Sequence, residues 1–291
     1  MNFRKTTIRT AIGSHHSSTN NESIRIYEWE QDSYIRKHSY FVNKKIERRN
    51  VVGLWIIILC TIFLNVSNGF SQIKVGKITY ERKTNLYKKF KNWDDVSEWI
   101  KEGEKVKMDV FELFFNDSLS LFKPQESDLK ESFSWATEKN TVYQDLKNNK
   151  RISVKDIWGE EFIVSDSLRV RKWKITDSKR NICGYTCRKA IWQANDTTRI
   201  YAWYCDEIST NVGPESFLGL PGAILGAATE DGGVIYFAKS VEQIKPDVTT
   251  LIAKKTKSKI YTAAELRARL EKDFGKEKWG KAMISNVFGL W

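Results

Sequence analysis

Histidine, the side chain most often used as a general base, is confined to the first part of this 291-residue chain. His15, His16 and His38 all precede an apolar run at 51–64, and residues 72–291 contain no histidine. For that later segment, this distribution excludes hydrolases with a histidine base and the common zinc sites that use histidine. Carboxylate, lysine or tyrosine chemistry would be compatible with it. Because no nucleophile motif occurs either, we predict no catalytic residue, no metal site and no cofactor.

Three of the four cysteines, Cys183, Cys187 and Cys205, lie close together in the sequence. Cys187 and Cys205 flank a turn at 195–197, and a hairpin centred near Asp196 places them opposite each other. A directly opposed pair can come within disulfide distance, and an oxidising compartment would permit the bond. We therefore predict a Cys187–Cys205 disulfide. A Cys183–Cys205 bond, zinc binding by three cysteines and free thiols are the alternatives.

Residues 172–244 carry an ordered series of short motifs, which read KWKIT, GYTCRKA, AWYCDEI, GP and GLPGAIL. This order resembles the GLPGLI family of secreted Bacteroidetes proteins, and a weaker similarity extends back to Gly76–Tyr80. The chain differs from the family pattern at Ala223, where leucine is usual, and at Ser209, where proline is usual. The resemblance implies an exported protein and implies no particular reaction.

The segment around the GLPG motif is a candidate ligand site. Pro221 and Gly222 suit the centre of a type II turn, in which glycine supplies a positive φ. One interpretation is a tight loop that feeds a core strand. The other is the rim of a ligand site, since backbone without side chains lets a partner approach closely. The candidate residues of this rim are Phe217, Gly219, Leu220, Pro221 and Gly222.

Aromatic and charged residues of a neighbouring strand extend this candidate site. Trp203 and Tyr204 alternate along the strand, which suits either the core face of a sheet or a concave surface for an apolar or peptide ligand. Arg199 and Glu207 would supply charges near its two ends. A carboxylate pair for glycosidic cleavage needs a defined separation in space, so we rank a hydrolase last.

Short alternating runs recur every eight to twelve residues and predict a mainly β (α+β) fold. Strands are predicted at 74–82, 108–115, 119–122, 140–145, 150–157, 160–165, 169–175, 185–194, 198–206, 222–229 and 233–243, with turns that include 177–178. Helices are predicted near 93–105 and at 262–274. We expect one domain, 72–291, built on a curved antiparallel sheet or partial barrel with a C-terminal helix.

The apolar run 51–64 follows four basic residues at 44–49 and precedes small residues. This pattern predicts a signal peptide at 43–71, cleaved between Ser71 and Gln72. The run is shorter than the roughly 20 residues that a membrane-spanning helix needs. An uncleaved anchor that leaves the domain outside the cytoplasm is the alternative. Residues 1–42 would be a disordered extension or the result of a mis-assigned start.

The formal net charge of +12 is spread along the chain, without the clustered stripe of a nucleic-acid-binding protein. We expect a periplasmic or cell-envelope protein that contacts the membrane only through 51–64. The favoured function is a non-catalytic binding or carrier module for a lipid or peptide ligand. A structural or interaction protein with an outer-membrane protein partner is the alternative, and a carboxylate-based hydrolase is a distant third.

Overall fold

The computed structural model describes residue 33 and residues 36–39, 72–90, 100–126, 133–157 and 159–289. The chain divides into two compact units, Met1–Gly69 and Phe70–Trp291. In the first unit, the described residues are helical. The predicted extension, signal peptide and apolar run otherwise lie outside the described residues. Among the residues that are described, no helix is long and apolar enough to span a membrane.

The second unit is built on a twelve-stranded sheet that does not close. Its strands are β1 (Gly76–Asn85), β2 (Val106–Phe115), β3 (Leu119–Pro124), β4 (Thr141–Asp145), β5 (Lys150–Ile157), β6 (Glu160–Ser167), β7 (Lys174–Ile182), β8 (Tyr185–Asn195), β9 (Thr198–Cys205), β10 (Ala223–Thr229), β11 (Val234–Glu242) and β12 (Ile260–Tyr261). Their order across the sheet is β12-β6-β5-β4-β3-β2-β1-β11-β10-β9-β8-β7. The predicted fold class, a mainly β open sheet, is confirmed.

Pairing across the sheet is antiparallel except at one edge, where the two-residue strand β12 runs parallel to β6. The predicted hairpin around 116–118 is present, because Asn116 accepts hydrogen bonds from the backbone of Ser118 and Leu119 at 2.8 Å each. One predicted strand is wrong. Residues 169–173 are not in a strand, and β7 instead runs through 177–178, where a turn was predicted. The register of β7 shifts between Ile175 and Lys179, so Asp177 and Ser178 lie in a bulge-like irregularity within the strand.

Within the described part of the chain, three helices accompany the sheet: α1 (Leu86–Lys89), α2 (Ala263–Phe274) and α3 (Lys278–Val287). The predicted C-terminal helix corresponds to α2, which Thr262 and Glu265 begin with a reciprocal capping box. Helix α3 was not predicted because Gly280 interrupts its apolar pattern. A Cβ there would overlap the backbone of Phe274, so glycine permits a close approach of the helices. Most of the predicted helix at 93–105 lies outside the described residues, and Glu102–Glu104 form a single 3₁₀ turn.

The long connection 206–222, between β9 and β10, passes through the main core. Val212, Phe217 and Leu220 of this connection are buried together with inward-facing residues of β1–β4 and β7–β11. Ser216 of the same connection contacts Arg151 of β5 and Arg171, which lies just before β7. β5 is near one end of the strand order and β7 is at the other. The sheet is therefore strongly curved around this connection.

Candidate functional site

Three apolar residues of the predicted ligand site lie in the core, whereas Trp203 is partly buried and Pro221 is exposed. Phe217, Tyr204 and Leu220 are 0%, 1% and 2% exposed. Trp203 points to the opposite face of β9 from Tyr204, where its ring lies 5.6 Å from that of Phe237. A ligand could reach Phe217, Tyr204 or Leu220 only by displacing core packing, so these three side chains are not accessible in this structure.

The GLPG backbone forms a tighter turn than was predicted. Gly219 and Gly222 have φ values of +102° and +137°, so the expected positive φ at Gly222 is present. The Gly222 amide donates to the carbonyl of Leu220 at 2.8 Å, which closes a three-residue turn on Pro221. Ala223, whose amide would close a type II turn, instead donates to the carbonyl of Ile208 at 2.9 Å. The predicted type II turn is therefore wrong.

The cysteines lie in the predicted register without forming the predicted bond. Arg188 pairs with Tyr204, the register that puts Cys187 opposite Cys205 at the next position. Both are nevertheless free thiols in this structure, as is Cys183. Burial and the neighbouring Cys205 raise the pKa of Cys187 to about 12, so its thiol stays protonated near neutral pH.

The charged candidates are separated from the apolar ones and from each other. Arg199 is the second residue of β9 and is exposed, with its guanidinium 3.3 Å from Glu230. Glu207 follows the far end of β9, where its carbonyl accepts a hydrogen bond from the amide of Ile73 at 2.9 Å. Of the residues predicted for the ligand site, Arg199 alone lines the cleft described below, in which several charged side chains converge.

Three adjacent strands place a row of polar side chains on the buried face of the sheet. Arg82 of β1 pairs in register with Asp109 of β2 on one side and with Tyr236 of β11 on the other. Its guanidinium donates to Asp109 at 2.7 Å and to the Tyr236 hydroxyl at 3.3 Å. Burial raises the pKa of Asp109, but Arg82, together with a hydrogen bond from Thr137, outweighs it, and the net pKa is lowered.

Glu215 from the long connection completes this row. It is 2% exposed and has a left-handed backbone with φ +55°, which is costly for a residue with a side chain. Its carboxylate accepts hydrogen bonds from the Tyr236 hydroxyl at 2.8 Å and from the Asn140 amide at 3.5 Å, and it lies 3.9 Å from Arg82. Burial raises its pKa, and Arg82 offsets that effect in part.

Arg82, Glu215 and Tyr236 form the buried end of a cleft with a volume of about 540 Å³. We call it the polar cleft. Around it, charged side chains occur in pairs of opposite sign: Lys89 with Glu138 at 2.8 Å, Arg199 with Glu230 at 3.3 Å, and Lys88 with the carbonyl and carboxylate of Asp231. Ser285 and Asn286 of α3 and Thr197 and Thr198 of the β8–β9 turn add hydrogen-bonding groups.

The polar cleft suits the binding of a ligand that carries both donors and acceptors. Its residues include no histidine or cysteine. Among the described residues, no group of three or more His, Cys, Asp or Glu side chains is arranged to hold a metal ion. Residues 217–222 line neither this cleft nor three further cavities in the described part of the chain.

Sequence reasoning missed Glu215, Arg82 and Asp109, although each left a signal. Glu215 is an acid between a Gly-Pro turn and the apolar residues that follow it. Arg82 continues the inward-facing alternation of Ile78 and Tyr80 along β1. A charged residue in phase with the buried face of a strand needs a partner, and here that partner lies on the next strand.

Comparison with known proteins gives a limited match. Residues 192–226 match the model of a family described as a protein of unknown function (Porph_ging). This stretch contains β9, the long connection and the GLPG turn. No curated protein matches the chain.

Several solved structures resemble the chain weakly. A structure of PNGF-II in space group P21 is 18% identical, with a TM-score of 0.47, over 69% of this chain and 34% of that one. The structure of PNGF-II in space group C2 is 20% identical, with a TM-score of 0.46, over 74% of this chain and 33% of that one. An uncharacterised conserved protein from Thermus thermophilus is 6% identical, with a TM-score of 0.36, over 66% of this chain and 92% of that one. The chain spans about a third of the length of the PNGF-II chains. At these scores, we infer nothing further from them.

Proposed function

We propose that this chain is an exported, GLPGLI-type binding module of the periplasm or cell envelope, and that its ligand is a peptide or a similarly polar molecule held in the polar cleft. One observation carries the proposal. The connection inside the family-matching segment holds Glu215 in a strained left-handed conformation against Arg82 and Tyr236, at the buried end of the cleft. Strained residues of this kind concentrate at functional sites.

The ligand class follows from the chemistry of the cleft. A lipid carrier needs an exposed apolar concavity, but Phe217, Leu220 and Tyr204 are in the core. The cleft instead offers cations, carboxylates, hydroxyls and amides in alternation. A peptide presents amide donors and acceptors and terminal charges of both signs, so it can replace the internal ion pairs one for one. This exchange avoids leaving a desolvated charge without a partner.

A catalytic role is not part of the proposal. Tyr236 and Asn140 donate hydrogen bonds to the Glu215 carboxylate, and Arg82 lies beside it. These contacts hold the group in place. A hydrolase would need a second carboxylate at a defined distance from it across a substrate.

Peptide capture tests the proposal. The full-length protein is incubated with a soluble mixed-sequence hexapeptide library, and retained peptides are identified by mass spectrometry after gel filtration. We expect enrichment by the wild-type chain and its loss in Arg199→Ala/Glu230→Ala. The control is Glu81→Ala/Lys239→Ala, which removes another ion pair, 3.6 Å long, between partly exposed Glu81 and exposed Lys239, away from the cleft. Both double variants leave the net charge unchanged.

The outcomes separate the alternatives. Enrichment that both double variants lose equally, or no enrichment at all, refutes the peptide proposal. Native mass spectrometry of the protein isolated from its own cells provides a second readout. A co-purifying lipid would revive the carrier for an apolar ligand, and a stoichiometric outer-membrane protein would favour the interaction role.

A further inference from the structure

A second group of charges lies on the other side of the long connection, around Ser216. Arg151 of β5 donates to the Ser216 hydroxyl at 3.3 Å, and Arg171 donates to the Ser216 carbonyl at 2.8 Å. Arg169 lies two residues before Arg171, and its carbonyl accepts a hydrogen bond from Arg171 at 3.4 Å. These contacts bring three arginines together, whereas the charges of the polar cleft form pairs of opposite sign.

Arg171 is buried without a counter-ion. It is 8% exposed, and no described carboxylate lies within ion-pair distance of it. Its Nε is buried and has no hydrogen-bond partner. Arg151 has Asp166 at 3.3 Å, yet its Nε also has no partner. Burial, followed by repulsion from Arg151 and Arg169, lowers the pKa of Arg171 to about 9. A buried cation without an opposing charge is costly, because hydrogen bonds to the Ser216 and Arg169 carbonyls offset its desolvation only in part.

The Arg171 guanidinium is held in a fixed position by aromatic rings. It lies 4.0 Å from the ring centroid of Phe217 and 5.1 Å from that of Trp192. Stacking of this kind fixes the plane of the guanidinium, whose donors bind oxyanions in a fork. Trp173 supports the arrangement from behind, since its indole N–H donates to the carbonyl of Leu218 at 3.0 Å and its ring packs on both aromatic residues.

Arg171 lines a cavity of about 600 Å³, together with Arg169, Lys172, Trp192, Gln193 and Phe288. We call it the arginine cavity. Three of its lining residues are cations, and no residue that lines it is acidic. This composition differs from the polar cleft, where each cation has an acidic neighbour.

We propose that the arginine cavity binds an oxyanion group, such as phosphate, sulfate or carboxylate, with Arg171 as its main ligand and Arg169 and Lys172 as supporting cations. The bound anion supplies the missing counter-charge and accepts hydrogen bonds from guanidinium N–H groups that the Ser216 and Arg169 carbonyls do not occupy. Charge-assisted, forked hydrogen bonds from arginine are among the strongest in proteins. This site is separate from the proposed peptide site and does not depend on it.

Titration calorimetry of the full-length protein with inorganic phosphate, and separately with sulfate, in low-salt buffer tests the proposal. We expect saturable binding at one site, weakened at least about tenfold by Arg171→Gln and less by Arg171→Lys, which keeps the charge but loses the fork. Arg180→Gln is the matched control, because its guanidinium also stacks on two rings, at 5.5 Å from Trp203 and 5.0 Å from Phe237, outside the cavity. It should leave the affinity unchanged.

A second variant covers the possibility that Arg171→Gln does not fold. Arg169 and Lys172 are exposed, so Arg169→Gln/Lys172→Gln should fold and should weaken phosphate binding several-fold. Vesicles that contain phosphatidylglycerol form a further arm, since a phosphate group can also belong to a lipid. If the protein binds these vesicles and free phosphate releases it, the bound oxyanion belongs to a lipid headgroup. If the protein binds phosphate but not the vesicles, the ligand is a free anion. Absence of saturable binding to either ion, equal losses in Arg171→Gln and Arg180→Gln, or an unchanged affinity in the exposed double variant would overturn the proposal.

Discussion

Gly222→Ala is the substitution that most directly tests the GLPG turn. Gly222 begins the approach of the connection to β10, and its φ of +137° is far from the conformations that alanine prefers. A Cβ at this position would lie 2.7 Å from the carbonyl carbon of Cys205 and closer still to its oxygen. Both are backbone atoms at the end of β9, so no side-chain rotation can relieve the overlap. The chain must shift where β10 begins to pair with β9.

The expected loss has two parts. Placing a residue with a Cβ in a disfavoured backbone region costs roughly 1–3 kcal/mol. Forcing packed elements apart costs about 1–3 kcal/mol more. The lower entropy of the unfolded alanine chain returns roughly 0.4–1 kcal/mol. We therefore expect Gly222→Ala to lower the free energy of unfolding by about 1–5.5 kcal/mol, a substantial fraction of the roughly 5–15 kcal/mol typical of a folded protein.

Urea unfolding followed by tryptophan fluorescence measures this loss, with two glycine controls. Gly232 has φ +68° and no atom within 4 Å of an added Cβ, so Gly232→Ala should lose only the backbone part, about 1–2 kcal/mol. Gly103 has no positive φ and the same open surroundings, so Gly103→Ala should change little. If Gly222→Ala and Gly232→Ala are equally stable, the close approach to Cys205 does not exist and the reasoning fails.

Two further substitutions or modifications probe the core. Asp109→Asn removes the shorter of the two ion pairs of buried Arg82, which leaves only Glu215 at 3.9 Å, and should cost about 3–5 kcal/mol at neutral pH. The folded-state pKa of Asp109 lies below the usual 3.8, so its stabilising effect is present above that pH and is lost as the pH falls through the folded-state pKa. The free energies of unfolding of the wild type and the variant should therefore converge in acid. A difference that stays constant with pH would contradict this. Iodoacetamide should modify exposed Cys183 and spare Cys187 and Cys205 until urea is added, as peptide mass spectrometry would record. A loss of two mass units on the peptides of Cys187 and Cys205 would instead support their disulfide.

Local sequence patterns were sufficient to predict most strands and their neighbours. The hairpin at 116–118 and the register that sets Cys187 opposite Cys205 depend on a few adjacent residues and the two-residue period of a strand. The capping residues Thr262 and Glu265 likewise mark the start of α2 locally. The failure at 177–178 has the opposite origin. Asp-Ser is a turn signal by propensity, but the pairing of Ile175 and Lys179 with β8 on either side keeps both residues within the strand.

The candidate site depends on contacts that no local pattern records. In sequence, 27 residues separate Arg82 from Asp109, and 154 separate Arg82 from Tyr236, yet strand order makes all three neighbours. The sequence left open whether Phe217, Leu220 and Tyr204 contact a ligand or pack in the core. The sheet curves around 206–222, and this curvature buries all three in the core. The same curvature brings Arg151 and Arg171 to Ser216 from opposite regions of the sheet.

The sequence by itself determined the mainly β class, the boundaries of most strands to within a few residues and the positions of most tight turns, because these follow from side-chain alternation and from glycine and proline backbone preferences. Only the tertiary structure decided which polar residues are buried together. The energy of a buried charge depends on what faces it across the fold, and those partners are supplied by strands and connections distant in the chain.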